Sequence, residues 1–358
     1  MKLAWKLAIP QICIVICLCL ISFFVINSLI MDLREEHVRD VIDNRYSFII
    51  NQIEVSSLKS ISETSLFTRH PAVMEAYELA LSGDINDPYS PESQAARDLL
   101  RVELAPMIDS YSDILGERLQ LHFHLPNGFS LVRLWREKNT RVDGEWVDIS
   151  DDLRSYRPTV LNVLESGEPA RGLEPGSGGF AIRGVIPVIS PDGRLLGSAE
   201  TLQDFYPILE AATEEGKVFI SLYANVELLD FSVELQDAER YPPKGDFVRV
   251  IEAKDSYIET LITPELLSRA KGESFYANSG HYSMAMSPLL DYQGKQVGVV
   301  VCAMNTAIIS NLARTAIIVM AVMLAFMATG PTFALILRLR ALATRPLGTI
   351  KLKIQDIA

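Results

Sequence analysis

The chain has 358 residues, of which 49% are hydrophobic and 22% charged, with a formal net charge of −12. A uniformly soluble protein is excluded, because Leu7–Met31 and Thr315–Leu337 are uncharged runs of 25 and 23 residues. Residues 32–312 carry 44 of the 45 acids and 25 of the 33 bases, a net of −19 that excludes nucleic acid and anionic lipid surfaces as their partners.

At about 1.5 Å per helical residue, each uncharged run exceeds the roughly 30 Å of bilayer hydrocarbon. Residues 7–31 and 313–337 are therefore predicted to be transmembrane helices. Lys2 and Lys6 precede the first, and Arg338, Arg340, Arg345, Lys351 and Lys353 follow the second. Short basic flanks stay in the cytoplasm. Residues 1–6 and 338–358 are thus expected inside, and 32–312 in the periplasm, held by the inner membrane. No small-x-small cleavage pattern precedes Asp32, so the first helix is expected to persist as an anchor.

Cys13, Cys17 and Cys19 fall in the first run, and the lone exported Cys302 allows no internal disulfide. No Cys-x-x-Cys or His-x-x-His pair points to zinc, and no cofactor is expected. His122 and His124 share a strand face and are expected to face solvent or to be hydrogen-bonded, with a metal site or a pH-sensitive role as the lesser alternatives.

Val38, Ile42, Tyr46, Ile49 and Ile53 recur at helical steps, predicting a stalk over 32–69, about 50 Å long, that ends near His70-Pro71. Its apolar stripe serves intramolecular packing, with a homodimer seam near the membrane as an added possibility. A helix from Pro91 to about Leu115 follows a turn-rich segment. Then the period becomes alternating: Leu119, Leu121, Phe123 and Leu125 face one way, and Gln120, His122 and His124 the other. Phe129 to Trp135 returns as a strand, and a helix is predicted from about Asp151 to Ser166. Strands over Arg171–Leu173, Phe180–Ile189 and Leu195–Leu202 precede a helix at roughly Asp204–Glu215. Together these form an α+β pattern.

The pattern is repeated. Pro187, Gly193 and Gly197 recur as Pro288, Gly294 and Gly298, 101 residues later, each time in a strand, turn, strand order. Gly167-Glu168 is echoed by Gly272-Glu273. Two tandem modules are expected, a membrane-distal one at 70–215 and a membrane-proximal one at 216–312.

A double α/β module on a long helix between two spans resembles the double-Cache sensory domain of bacterial receptors, over Asp32 to about Asn311. Ser130–Trp135, Asp151–Arg157 and Gly172 through Gly178-Gly-Phe-Ala-Ile-Arg-Gly-Val-Ile-Pro187 are similar to one branch of that family. Arg345-Pro-Leu-Gly-Thr-Ile350, with Ile354 and Ile357, resembles the opening of a HAMP domain. The resemblance implies two PAS-like modules with a small-molecule pocket between sheet and covering loops of the distal one. That module gathers Arg133, Trp135, Arg136, Tyr156, Arg157, Phe180 and Arg183. Arg133, Trp135, Tyr156, Arg157 and Arg183 are the candidate ligand contacts, with Glu200 orienting an arginine or accepting from an amine. Guanidinium groups supply bidentate donors to a carboxylate, and an indole covers an apolar portion. The alternative is structural: these arginines pair with Asp151, Asp152 or Glu174, and the aromatics are core. The Tyr/Arg/Trp/Tyr/Asp arrangement of amino-acid sensors does not align here, so an organic acid or other anion is the expected ligand.

The implied function is a receptor that passes a ligand-driven shift through the second span to HAMP and a cytoplasmic signalling output. Chemotaxis comes first, with a sensor histidine kinase or a cyclic-dinucleotide enzyme next. An exported domain that docks a periplasmic protein is the alternative. No enzyme is expected, because Ser177 in Gly176-Ser-Gly-Gly179 lacks the strand–elbow–helix setting of a nucleophile and has no histidine close in sequence.

Overall fold

The computed structural model describes residues 2–339. The HAMP-like opening from Arg345 onward lies outside the described residues, as does most of the cytoplasmic flank expected from 338. Helix α1, Lys2–Ser65, is continuous from the first apolar run into the stalk. Helix α8, Ala307–Leu339, contains the second apolar run. Both are long and apolar enough to cross a membrane.

Between them lies the folded body. The stalk helix ends at Ser65, near the expected boundary at His70-Pro71, and a further helix that the sequence reading missed opens beyond it: α2, Pro71–Leu81, with His70 Nδ1 accepting from the Ala72 N–H at 3.3 Å. Proline at the first helical position costs nothing, since that N–H has no intrahelical partner. Helix α3, Pro91–Leu115, is capped by the Ser90 hydroxyl and closed by Gly116 at φ +71°.

Strands β1, Gln120–His124, and β2, Ser130–Arg133, then pair across a short turn. A small hairpin missed by the periodicity follows, β3 at Thr140–Val142 and β4 at Glu145–Val147. Its turn is Asp143-Gly144 with positive φ at both residues, the pair that a type I′ turn demands. Helix α4 is Pro158–Ser166, shorter than the expected start at Asp151. Asp152 Oδ1 accepts from the Arg154 N–H at 2.9 Å, a local turn that competes with helix, and Arg157 before the proline lies outside the helical region at φ −127°, ψ 67°. Strands β5, Ala170–Gly176, β6, Gly179–Ile189, and β7, Leu195–Asp204, complete a five-stranded antiparallel sheet in the order β2-β1-β7-β6-β5.

After α5, Tyr206–Ala212, and β8, Val218–Asn225, come β9 at Pro243–Lys244 and β10 at Phe247–Ile251. Helices α6, Ser256–Leu261, and α7, Pro264–Arg269, precede β11 at Phe275–Ser279, β12 at Tyr282–Leu290 and β13 at Gln296–Asn305. The second sheet runs β11-β12-β13-β8-β10-β9. Read from the other edge, β10-β8-β13-β12-β11 has the same order as β2-β1-β7-β6-β5, so the repeated motif is a repeated topology. Gly193 and Gly294 hold φ +87° and +80° in equivalent turns. Gly197 and Gly298 lie against the carbonyls of His124 and Tyr223 on the neighbouring strands.

Alternation divides the first sheet. Leu121 and Phe123 join Val73, Tyr77, Leu100 and Leu104 from α2 and α3 in one apolar cluster. Tyr77 adds polar closure, donating to the carbonyls of His124 and Ser198, both at 2.9 Å. Small residues let α1 lie close to the same sheet: the Ser60 backbone abuts Gly184, and Thr201 Oγ1 donates to Ser60 O at 2.9 Å. The opposite face of the sheet carries the polar side chains.

Candidate functional site

That opposite face floors a cavity of about 1130 Å³. Its floor comes from Gln120 and His122 on β1, Ala181 and Arg183 on β6, and Glu200 and Leu202 on β7. The cover comes from the β3–β4 hairpin, the 151–157 loop, the turn at 177–180 and residues 230–234. All six expected contacts, Arg133, Trp135, Tyr156, Arg157, Arg183 and Glu200, line this one space, as do Arg136 and Phe180.

Their partners separate them into groups. Glu200 is fully buried and receives Arg157 Nη1 at 2.9 Å on Oε1, while Arg157 Nη2 closes the fork on Oε2. Arg157 Nε donates to Glu174 Oε2 at 2.9 Å, and Glu174 Oε1 is held by the Thr159 N–H at 2.9 Å. Arg183 Nε lies 3.0 Å from Glu174 Oε2 as an ion pair without hydrogen-bond alignment. Burial alone would raise the Glu200 carboxyl, but Arg157 and Arg183 hold it well below the carboxylate range. Two buried cations and two buried acids thus neutralise one another. Burial is costly for each ion alone and tolerable for the set.

Arg133 is similarly occupied: its Nη1 and Nη2 meet Asp151 Oδ1 and Oδ2 at 2.6 and 2.9 Å. Tyr156 donates its hydroxyl to the same carboxylate at 3.0 Å. Burial would raise Asp151, yet Arg133 and the hydrogen bonds keep it below its ordinary value.

The histidine pair is buried, so the solvent-facing alternative is corrected, and the hydrogen-bonded one describes it. His122 Nδ1 lies 2.8 Å from Glu200 Oε1, and His124 Nε2 lies 3.3 Å from the same oxygen. Alternation brings Glu200 opposite His122 in the β1–β7 register, a cross-strand partner that no local pattern reveals.

The rim is different. Arg136 lies over the Trp135 and Trp146 rings at 5.4 and 5.2 Å, and Arg141 over Trp146 at 5.0 Å. Among the described residues neither arginine has a carboxylate partner. Trp146 and Arg141 were missed by the sequence reading, although the Asp143-Gly144 turn signals the hairpin that carries them. Three lining acids, Asp204, Asp230 and Glu234, were also missed, the last of them ion-paired with Arg240 at 3.1 Å.

A family model described as the double sensory domain of two-component sensor kinases matches residues 93–309. No curated protein matches. Among solved structures, the ligand-binding domain of the Campylobacter jejuni chemoreceptor Tlp3, in complex with 4-methylisoleucine, is 11% identical with a TM-score of 0.40. That match covers 78% of this chain and 94% of the other. The sensor domain of the V. cholerae histidine kinase DctB is 10% identical with a TM-score of 0.40, covering 77% and 98%. An extracellular ligand binding receptor from Desulfohalobium retbaense is 12% identical with a TM-score of 0.37 over 75% of this chain, which spans 40% of that receptor's length. With its repeated sheet topology and a family match across residues 93–309, the chain belongs to the double-Cache sensory domains, each built of two PAS-like modules.

Proposed function

We infer that the chain is the sensory input of a membrane receptor, and that its cavity over the first sheet binds a small organic acid or related anion. The observation that carries this reading is Arg136. The cavity floor neutralises its own charges, whereas Arg136 and Arg141 face the space with their guanidinium groups held by indoles and claimed by no carboxylate. A guanidinium held by an indole is ready to bind a carboxylate without first breaking an ion pair. Asp204 and Asp230 also line the cavity and favour a ligand that carries a hydroxyl or ammonium group as well.

The cavity supports signalling because its cover combines two parts of the fold. Residues 230–234 follow β8 of the second sheet, and the Glu234 N–H donates to Ser177 O at 3.1 Å in the β5–β6 turn. A ligand that touches both parts favours one closure of the cavity, and it shifts the population by its differential affinity for the closed state. In this reading the shift passes through residues 313–337 to a HAMP domain and a cytoplasmic chemotaxis output, in a homodimer with both termini inside. The matched family's description supports a sensor kinase as the second output. The exported body has no catalytic role in this reading.

The test is binding of a panel of mono-, di- and tricarboxylates to the full chain in lipid nanodiscs, read by calorimetry and thermal unfolding. Saturable binding by a carboxylate, weakened tenfold or more in Arg136→Ala at little cost in unfolding temperature, is expected. A panel without a binder, or a binder indifferent to both Arg136→Ala and Trp146→Ala, would falsify the reading.

A further inference from the structure

The buried histidine pair has a geometry that ligand binding by the rim does not use. His122 Nδ1, His124 Nε2 and Glu200 Oε1 form a triangle with edges of 2.8, 3.0 and 3.3 Å. Each is a single potential donor atom, and all three residues are buried. In a tetrahedral site with zinc–nitrogen and zinc–oxygen bonds of about 2.0–2.1 Å, the ligand atoms lie roughly 3.3 Å apart. The triangle therefore needs an expansion of only a few tenths of an ångström.

The outer shell has the form that such a site requires. His122 Nε2 lies 2.8 Å from Ser130 Oγ, and His124 Nδ1 lies 2.9 Å from Ser198 Oγ. With the protons on these outer nitrogens, each imidazole donates to a serine hydroxyl and turns a lone pair inward, as metal-bound histidines do. In that tautomer the three inner atoms each offer a lone pair within 3.3 Å of one another, and a cation bound there takes the place of the proton that otherwise joins His122 to Glu200. His122 and Glu200 also line the cavity, which gives the point an entry path.

We propose that His122, His124 and Glu200 form a site for a divalent transition metal ion of the zinc class, with its fourth position open to the cavity. Two nitrogens and one carboxylate oxygen with an open position suit zinc and its first-row neighbours, and are too few and too nitrogen-rich for calcium or magnesium. The adjacent charges set the condition. Arg157 and Arg183 already offset Glu174 and Glu200, so a dication adds two positive charges to the floor. Hydroxide or an anion entering from the cavity as fourth ligand reduces that excess. The metal reading does not depend on the anion reading, because zinc alone is its probe.

The full chain in nanodiscs is dialysed against zinc and analysed for retained metal, and cobalt(II) is titrated as a spectroscopic substitute. One equivalent per chain is expected, with intense visible cobalt absorption of low-coordinate geometry and a raised unfolding temperature. His122→Gln and His124→Gln should each lose the equivalent, and Ser198→Ala should weaken it by roughly 10–100-fold through the outer hydrogen bond. Absence of stoichiometric zinc overturns the proposal. So does retention by folded histidine variants, which would place the ion at Cys13, Cys17 and Cys19 or at surface groups. If the histidine variants do not fold, an unchanged affinity in Ser198→Ala overturns it.

Discussion

Arg157 holds both carboxylate oxygens of Glu200 while its Nε reaches Glu174, so one guanidinium joins β7 to β5 beneath the cavity. All three groups are buried. Removing one member leaves charge uncompensated in a low-dielectric setting, so Glu200→Ala should cost about 3–5 kcal/mol. Thermal unfolding of the full chain checks this, and a loss under about 1 kcal/mol would show the network to be dispensable.

Asp151 gives a pH dependence. Its folded carboxyl is held below the ordinary value, because Arg133 and Tyr156 outweigh its burial. A depressed carboxylate contributes stability at neutral pH that is lost as pH falls through the folded value. The difference in unfolding temperature between wild type and Asp151→Asn should therefore be largest near neutrality and shrink in acid. A gap that widens on acidification would contradict the assignment.

The glycines of the repeat fall into two kinds. A methyl group at Gly197 or Gly298 would meet the backbone carbonyl of His124 or Tyr223, and neither neighbouring strand can yield. Each alanine substitution should cost about 1–3 kcal/mol or more. At the turn positions Gly193 and Gly294 nothing lies within 4 Å of the added atom, and only the positive φ opposes it. Alanine there should cost about 1 kcal/mol. Equal losses at all four positions would refute the distinction.

Cys302 is buried in β13, and burial, with Asp43 nearby, pushes its thiol up to about 12. Because the folded thiol is raised, its contribution to stability is full below the ordinary thiol value and is lost as pH rises from there through about 12. At pH 8 the thiol should resist maleimide in the native chain and react after denaturation, as peptide mass spectrometry would record. Rapid native labelling would contradict its placement.

The elements with strong periodicity were legible in the sequence. Helix α3, the alternation along β1 and the paired hairpins β6–β7 and β12–β13 all follow from apolar spacing and turn glycines. The gathering of Arg133, Trp135, Tyr156, Arg157, Arg183 and Glu200 was legible as a concentration of cations and aromatics on one module. Their partners were not. Glu200 reaches His122 only through cross-strand register, and Arg157 reaches Glu174 across 17 residues. Helix α2 was hidden because Pro71 reads equally as a stop and as a first helical residue. The β3–β4 hairpin was too short for its alternation to register, although its Asp-Gly turn was visible.

Register places Val301 where the first sheet has Glu200, and Ser221 where it has His122. Val301 lies in the apolar cluster of the second sheet, and Ser221 hydrogen-bonds the buried Glu259 carboxylate at 3.0 Å, so a different acid stands where the first sheet has the Glu200 network. Two copies of one architecture thus place different polar groups at one position of their sheets.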